Sequence, residues 1–207
     1  MRALDLFAGA GGAALGLHDA GFEHVACVER DPSAVATLRA AGFPAVAADV
    51  RDLDYAALAG TIDVLWASPP CQAWSQANQH AERKGAADVE RNGWPWTLRV
   101  VRAVRPRWAI FENVRNALRY VERHVVPELR KLYPHVAVWT LNAADHGVPQ
   151  SRTRLFVIAG PRPVSPPAPE PRRSMRSAIG VPYDAPSPCV MTNEWKGGPP
   201  RDRKSTR

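Results

Sequence analysis

The chain has 207 residues, 45% of them hydrophobic and 23% charged, which is a globular composition at a length suited to one domain with or without an appendage. No apolar run reaches the ~18 residues of a membrane span, and no secretory leader pattern follows Met1-Arg2, so a soluble and cytoplasmic protein is expected; a monomer is expected as well. Cys27, Cys71 and Cys189 are odd in number and lack C-x-x-C spacing, which argues against a disulfide framework and a structural zinc; no metal is expected. A net charge of +7 favours a polyanionic partner, because neutralising phosphates releases condensed counterions.

From Ala3 to Gly160 short apolar runs alternate with amphipathic stretches, the pattern of βαβ units in an α/β protein with a mostly parallel sheet. Seven strands are predicted in chain order: Ala3–Phe7, His24–Glu29, Pro44–Asp49, Ile62–Ser68, Trp108–Val114, Val136–Asn142 and Arg154–Ala159. Helical patterns between them include Ala13–Ala20, Pro32–Ala41 and Arg115–Leu132. The connection between the last two strands is too short for a helical crossover, so they should form an antiparallel pair at one edge. Residues 1–160 are thus expected to be one domain. From Pro161 prolines crowd and apolar periodicity fades except around Met175–Ile179, so 161–207 reads as an irregular extension with nine basic and four acidic residues.

The first strand runs into Asp5-Leu6-Phe7-Ala8-Gly9-Ala10-Gly11-Gly12-Ala13-Ala14, where Gly9, Gly11 and Ala14 fit G-x-G-x-x-G/A between strand and helix. That pattern lets a ligand approach bare backbone at a helix N-terminus. Glu29 ends the second strand 20 positions after Gly9, where a carboxylate can accept from ribose hydroxyls; Asp49 ends the third, where it can take an adenine amino hydrogen. Turn glycines and capping acids would give the same letters. Carboxylates and Phe7 at these strand ends suit S-adenosylmethionine better than a pyrophosphate cofactor, which favours free amides and basic neighbours.

Cys71 follows the fourth strand in Ser68-Pro69-Pro70-Cys71-Gln72, where doubly wound sheets place their chemistry. Its neighbours are turn and polar residues, whereas Cys27 lies inside the apolar run Val25–Val28 and reads as a small buried hydrophobe. A nucleophilic thiol needs surroundings that favour thiolate, since a free thiol has a pKa of ~8.5. Phe111-Glu112-Asn113-Val114 ends the fifth strand with a carboxyl group at the same sheet edge, or with a helix cap. Gln150-Ser151-Arg152-Thr153-Arg154 enters the seventh with two arginines of like facing, which on an edge strand can also serve to discourage aggregation.

Asp5–Gly12, Pro70-Cys71-Gln72, Glu112-Asn113-Val114 and Gln150–Arg154 stand in the order found in C5-cytosine DNA methyltransferases, a family that the chain resembles from Met1 to about Gly160. The resemblance implies a Rossmann-like S-adenosylmethionine-dependent methyltransferase fold and a place in DNA methylation of the restriction-modification kind. It implies that Phe7, Gly9, Gly11, Gly12, Glu29, Asp49 and Pro70 hold the methyl donor. Cys71 would attack C6 of a cytosine flipped out of double-stranded DNA, Glu112 would hold N3 and the exocyclic amine, and Arg154, supported by Arg152, would hold O2. The segment Gln76–Gly93 would be the loop that closes over the base.

The chain departs from the family after the arginine motif. Ala185–Val190 loosely matches the penultimate family motif, with Cys189 where threonine is usual; no counterpart of the last motif is visible, and Trp74 replaces a common phenylalanine. The resemblance therefore implies a truncated or minimal member, with 161–207 as a short target-recognition segment. Two other readings stay open: a DNA-binding or regulatory relative with an impaired site, and a tRNA cytosine-5 methyltransferase. Methylation of an exocyclic amine is disfavoured, because Cys71 stands where an aromatic residue would follow Ser68-Pro69-Pro70.

Overall fold

The structure, a computed structural model, describes residues 1–72, 74, 92–180 and 186–188. The chain divides into two compact units, one of Met1–Leu141 with Thr153–Pro167 and the other of Asn142–Arg152 with Ala168–Arg207.

Seven strands form one sheet in the order β3-β2-β1-β4-β5-β8-β6. They are β1 (Arg2–Leu6), β2 (Glu23–Glu29), β3 (Ala45–Ala47), β4 (Val64–Ala67), β5 (Trp108–Val114), β6 (His135–Asn142) and β8 (Thr153–Gly160). β1 pairs in parallel with β2 and β4, β2 with β3, and β4 with β5, while β8 runs antiparallel to β5. The expected sheet and its antiparallel element at one edge are thus present, with β8 seated between β5 and β6. β3 stops at Ala47, so Asp49 stands in the following turn rather than ending the strand as expected. Register places Leu4, Leu65 and Phe111 on one face of β1, β4 and β5, where they are inaccessible to solvent, whereas the other face of β5 is half-buried.

Helix α1 spans Gly12–Asp19 and α2 spans Pro32–Ala40. The latter starts where sequence rules place a start: Asp31 accepts from the Ala34 N–H at 2.9 Å and Pro32 takes the first position, where no N–H is needed. Helix α3, Trp94–Val104, buries Trp94, Thr97, Leu98, Val101 and Val104 at spacings of three and four, one face of a helix. After β5 a turn at Arg115–Ala117 leads into α4 (Leu118–Tyr120), a π-helical turn (Val121–Val125) and α5 (Val126–Arg130). Val121, Val125, Val126 and Leu129 carry that segment into the main core with Leu4, Leu6, Phe111 and Trp94.

In the second unit β7 (Gln150–Ser151) pairs in parallel with β9 (Ser187–Pro188), and Asp145 pairs with Arg172 at 2.7 Å. A short helix α6 (Met175–Ile179) is capped by Ser174, which accepts from the Ser177 N–H at 3.1 Å. No helix among the described residues is long and apolar enough to cross a membrane.

Candidate active site

Parallel strands put their chemistry at their carboxyl ends, and the expected residues of β1, β2, β4 and β5 all leave the sheet there. The β1–α1 turn is built on left-handed backbone. Gly9 and Gly11 have φ of 54° and 94°, and Phe7, which is not a glycine, has φ of 57°. A Cβ on Gly11 would lie 2.8 Å from Leu38 Cδ2 of α2, so that position needs glycine for both conformation and space. Around Gly9 and Gly12, in contrast, a Cβ would meet nothing within 4 Å. Among the described residues the loop therefore presents bare backbone at Gly9 and Gly12 to open space, and no side chain caps the N-terminus of α1.

Glu29 is integral to that turn. Its Oε2 accepts from the Gly9 N–H at 2.8 Å, and Oε1 accepts from the N–H groups of Arg30 and Asp31, each at 2.8 Å. One acceptor position on Oε2 remains for a ribose hydroxyl. Asp49 is more heavily engaged: Oδ1 accepts from Arg51 Nε at 2.9 Å and from the Arg51 N–H at 3.0 Å, and Oδ2 from Arg51 Nη2 at 2.9 Å and Arg30 Nη1 at 3.3 Å. Those bonds, chiefly from the Arg51 side chain, pull its pKa down to about 2. An adenine amino group at Asp49 must displace one of these donors, the long Arg30 contact being the weakest.

Asp5 is not among the expected site residues, and it is fully buried with neither carboxylate oxygen hydrogen-bonded to any of the described residues. Burial, with the Glu29 charge adding to it, pushes its pKa up to about 7. Asp5, His24 and Cys27 each offer a ligand atom, all within 4.8 Å of one another, the one such group among the described residues that could gather round a cation. Cys27 itself is buried and its thiol is pushed up to about 12 by burial and then by Asp5, so it is inert as a nucleophile.

The β4–β5 half presents different chemistry. Ala67 of β4 pairs with Phe111 of β5, so Ser68–Cys71 and Glu112–Val114 leave the same edge on neighbouring strands. Asn113, buried in β5, donates from Nδ2 to the Pro69 carbonyl at 2.9 Å and accepts the Val114 N–H on Oδ1 at 2.9 Å. Gly93 backs directly onto the two prolines: a Cβ there would lie 2.6 Å from Pro70 Cδ and 2.8 Å from Pro69 Cβ. Cys71 emerges exposed from this braced turn, and its carbonyl accepts the Trp74 N–H at 2.9 Å. Glu112 forms an ion pair with Arg154 across the antiparallel β5–β8 pair, Oε1 to Nε at 2.9 Å, with about a fifth of each side chain exposed. Val114 is the register partner of Arg154, so the arginine reaches back along β5 to meet Glu112.

Arg152 belongs to the second unit, where its N–H donates to Asn142 Oδ1 at 3.0 Å and its carbonyl accepts the Ala143 N–H at 3.0 Å. Of the expected closing segment, Gln76–Gly93, only Asn92 and Gly93 lie among the described residues, and of Ala185–Val190 only Pro186–Pro188; Cys189 lies outside them.

A family model described as "C-5 cytosine-specific DNA methylase" matches residues 1–177. The Type II methyltransferase M.NgoMIV of Neisseria gonorrhoeae is 36% identical over 163 residues, covering 75% of this chain and 50% of that protein. The Type II methyltransferase M.XorII of Xanthomonas oryzae pv. oryzae is 34% identical over 213 residues, covering 93% and 49%. Among solved structures, the Entamoeba histolytica methyltransferase EhMeth superposes with a TM-score of 0.66 at 16% identity over 84% of this chain and 57% of that one, a likeness of fold. The chain spans about half the length of the curated relatives it matches.

Proposed function

The chain belongs to the C-5 cytosine-specific DNA methylase family, and from that premise we propose that it methylates carbon 5 of cytosine in double-stranded DNA through a covalent bond to Cys71. The observation that carries this reading is the exposed Cys71, braced at the end of β4, with the Glu112–Arg154 pair leaving the adjacent strand.

S-adenosylmethionine, when bound, supplies an electrophilic methyl group on a sulfonium. The residues present fit it. The open space around Gly9 and Gly12 and the start of α1, where the first-turn N–H groups have no partner within the helix, suit the amino acid portion, whose carboxylate can accept from those groups. Glu29 retains an acceptor for the ribose, Asp49 can exchange a guanidinium contact for the adenine amine, and Phe7 and Pro70 supply apolar contact surface beside the loop.

Cytosine C5 is a poor nucleophile until a bond forms at C6. The Cys71 thiolate adds to C6 while Glu112, carrying a proton once it leaves Arg154, donates it to N3 and accepts from the exocyclic amine, so that the ring electrons settle as an enamine and the developing charge is neutralised. Arg154 donates to O2 of the base, while its present partner Glu112 turns to N3. After the methyl reaches C5, water takes the C5 proton, the C5–C6 double bond re-forms and the thiolate leaves, so the enzyme is restored. The base must first leave the duplex, at a cost of a few kcal/mol that the pocket contacts offset.

Labelled methyl transfer to a synthetic duplex tests the proposal: 5-methylcytosine formed by the wild type and absent with Cys71→Ala supports it. Methylation that persists without Cys71 would falsify it. Replacing duplex with tRNA in the same assay separates the DNA reading from methylation of RNA.

A further inference from the structure

Tyr120 serves no role in the chemistry above, yet it touches both sides of the nucleophile's turn. It stands in α4, eight residues after Glu112, on the segment that continues β5. Its ring lies 5.1 Å from the ring of Trp74, which is buried and whose N–H closes the Cys71 turn. Its hydroxyl accepts from Asn92 Nδ2 at 2.8 Å. Asn92 in turn accepts the Trp94 N–H on Oδ1 at 3.2 Å, which fixes the start of α3 and with it Gly93, the residue packed on Pro69 and Pro70. The ring of His124, one turn further along, packs against the Tyr120 ring with centroids 4.7 Å apart and planes tilted by 37°.

We propose that Tyr120 is a positioning residue for the nucleophile, holding Cys71 in register with Glu112 by clamping Trp74 with its ring and Asn92 with its hydroxyl. This deepens the methyltransfer reading and rests on it for its catalytic consequence. Cys71 is exposed, so the packing of its own side chain does not hold it; its place is set by the residues flanking it. Upstream, Asn113 ties the Pro69 carbonyl to β5; downstream, Tyr120 ties Trp74 to the same β5–α4 segment. Both ends of Pro69–Trp74 are thus referred to the segment that carries Glu112. Tyr120 reaches the donor site only indirectly, through Asn92 and the packing of Gly93 on Pro70 and Phe7, so its loss should affect covalent capture more than donor affinity.

The test compares Tyr120→Phe, Tyr120→Ala and Asn92→Ala with the wild type and Cys71→Ala. Two readouts are taken: the rate of covalent capture by a 5-fluorocytosine duplex, and hydrogen exchange of the Trp74 amide. Capture should slow about tenfold in Tyr120→Ala and about threefold in Tyr120→Phe and Asn92→Ala, with a smaller change in the donor dissociation constant, and Trp74 should exchange faster in all three. Should Tyr120→Ala fail to fold, the two milder variants carry the comparison. Wild-type capture and wild-type exchange in both milder variants would overturn the proposal, as would an equal loss of donor affinity and capture. If Cys71→Ala captures as the wild type does, the catalytic reading fails, and the exchange data alone decide whether Tyr120 braces the turn.

Discussion

At the β1–β2 end of the sheet edge, backbone holds the functional groups: Glu29 takes three amide N–H groups, and Gly9 and Gly11 stand in left-handed conformations that fix the turn. At the β4–β5–β8 end side chains do this, with Asn113 on the Pro69 carbonyl, Arg154 on Glu112, and Tyr120 between Trp74 and Asn92. The two cysteines of the sheet show the same contrast. Cys27 lies mid-strand beneath the helices and is pushed up to about 12, whereas Cys71 stands past a strand end in solvent. A site knit by backbone survives most side-chain changes and fails at glycines; a site knit by side chains fails one partner at a time.

The sharpest way to break the comparison is to exchange the roles of the cysteines. Cys71→Ala should abolish methyl transfer, whereas Cys27→Ala should keep it and lose about 1 kcal/mol of stability, as a denaturant titration beside the methylation assay would read. Substantial loss of turnover in folded Cys27→Ala would erase the distinction. Next in size, Glu112→Gln should lower kcat by roughly 10²–10³ with the donor dissociation constant within twofold, because the group lost acts on the base. Weakened donor binding with intact turnover would move Glu112 to the other half.

Gly11→Ala probes the backbone-built half, with a clash at Leu38 Cδ2 added to a left-handed φ. It should destabilise the protein by about 1–3 kcal/mol and weaken donor binding in calorimetry, while Gly12→Ala, with open space at its Cβ, should do less to the fold.

Two acids of this half titrate in opposite senses. Asp5 keeps its proton to about pH 7 in the folded chain but releases it near 3.8 when unfolded. Between those values the unfolded state binds fewer protons, so stability falls as pH rises from about 4 to 7 and then levels. Asp5→Asn should flatten that slope, by roughly 2 kcal/mol in urea unfolding at pH 5 against pH 8. Asp49 does the reverse: held near 2, its contribution is full above its ordinary value of 3.8 and is lost as pH falls towards 2. Arg51→Ala should remove about 1 kcal/mol of it at neutral pH. A stability profile unchanged by either substitution would show that these carboxyls titrate normally.

How much of this was legible in the sequence follows the same division. Strand β5 falls at Trp108–Val114, as the apolar run between Pro106 and Arg115 predicts, and G-x-G-x-x-A located the β1–α1 turn because glycine chemistry is local. Helix α3 went unnamed, since Trp94-Pro95-Trp96 follows a long polar stretch and its buried face shows only once Leu98, Val101 and Val104 are aligned. The Arg51 and Arg30 grip on Asp49 was missed, although two arginines within reach along the chain gave a signal for it. Asn113 was read with Glu112 as a possible cap; its bond to Pro69 joins residues 44 apart and no local pattern reports it. The Glu112–Arg154 pair likewise depends on the register of β5 against β8, which pairing rather than spacing determines.

The most direct test incubates the chain with donor and a duplex carrying 5-fluorocytosine, then digests the product and maps the modified peptide by mass spectrometry. Fluorine at C5 cannot leave as the proton does, so the covalent species should accumulate with the nucleotide on Cys71. An adduct on Cys27 or Cys189, or methylation that proceeds with no adduct at all, would contradict the assignment of Cys71 as the nucleophile.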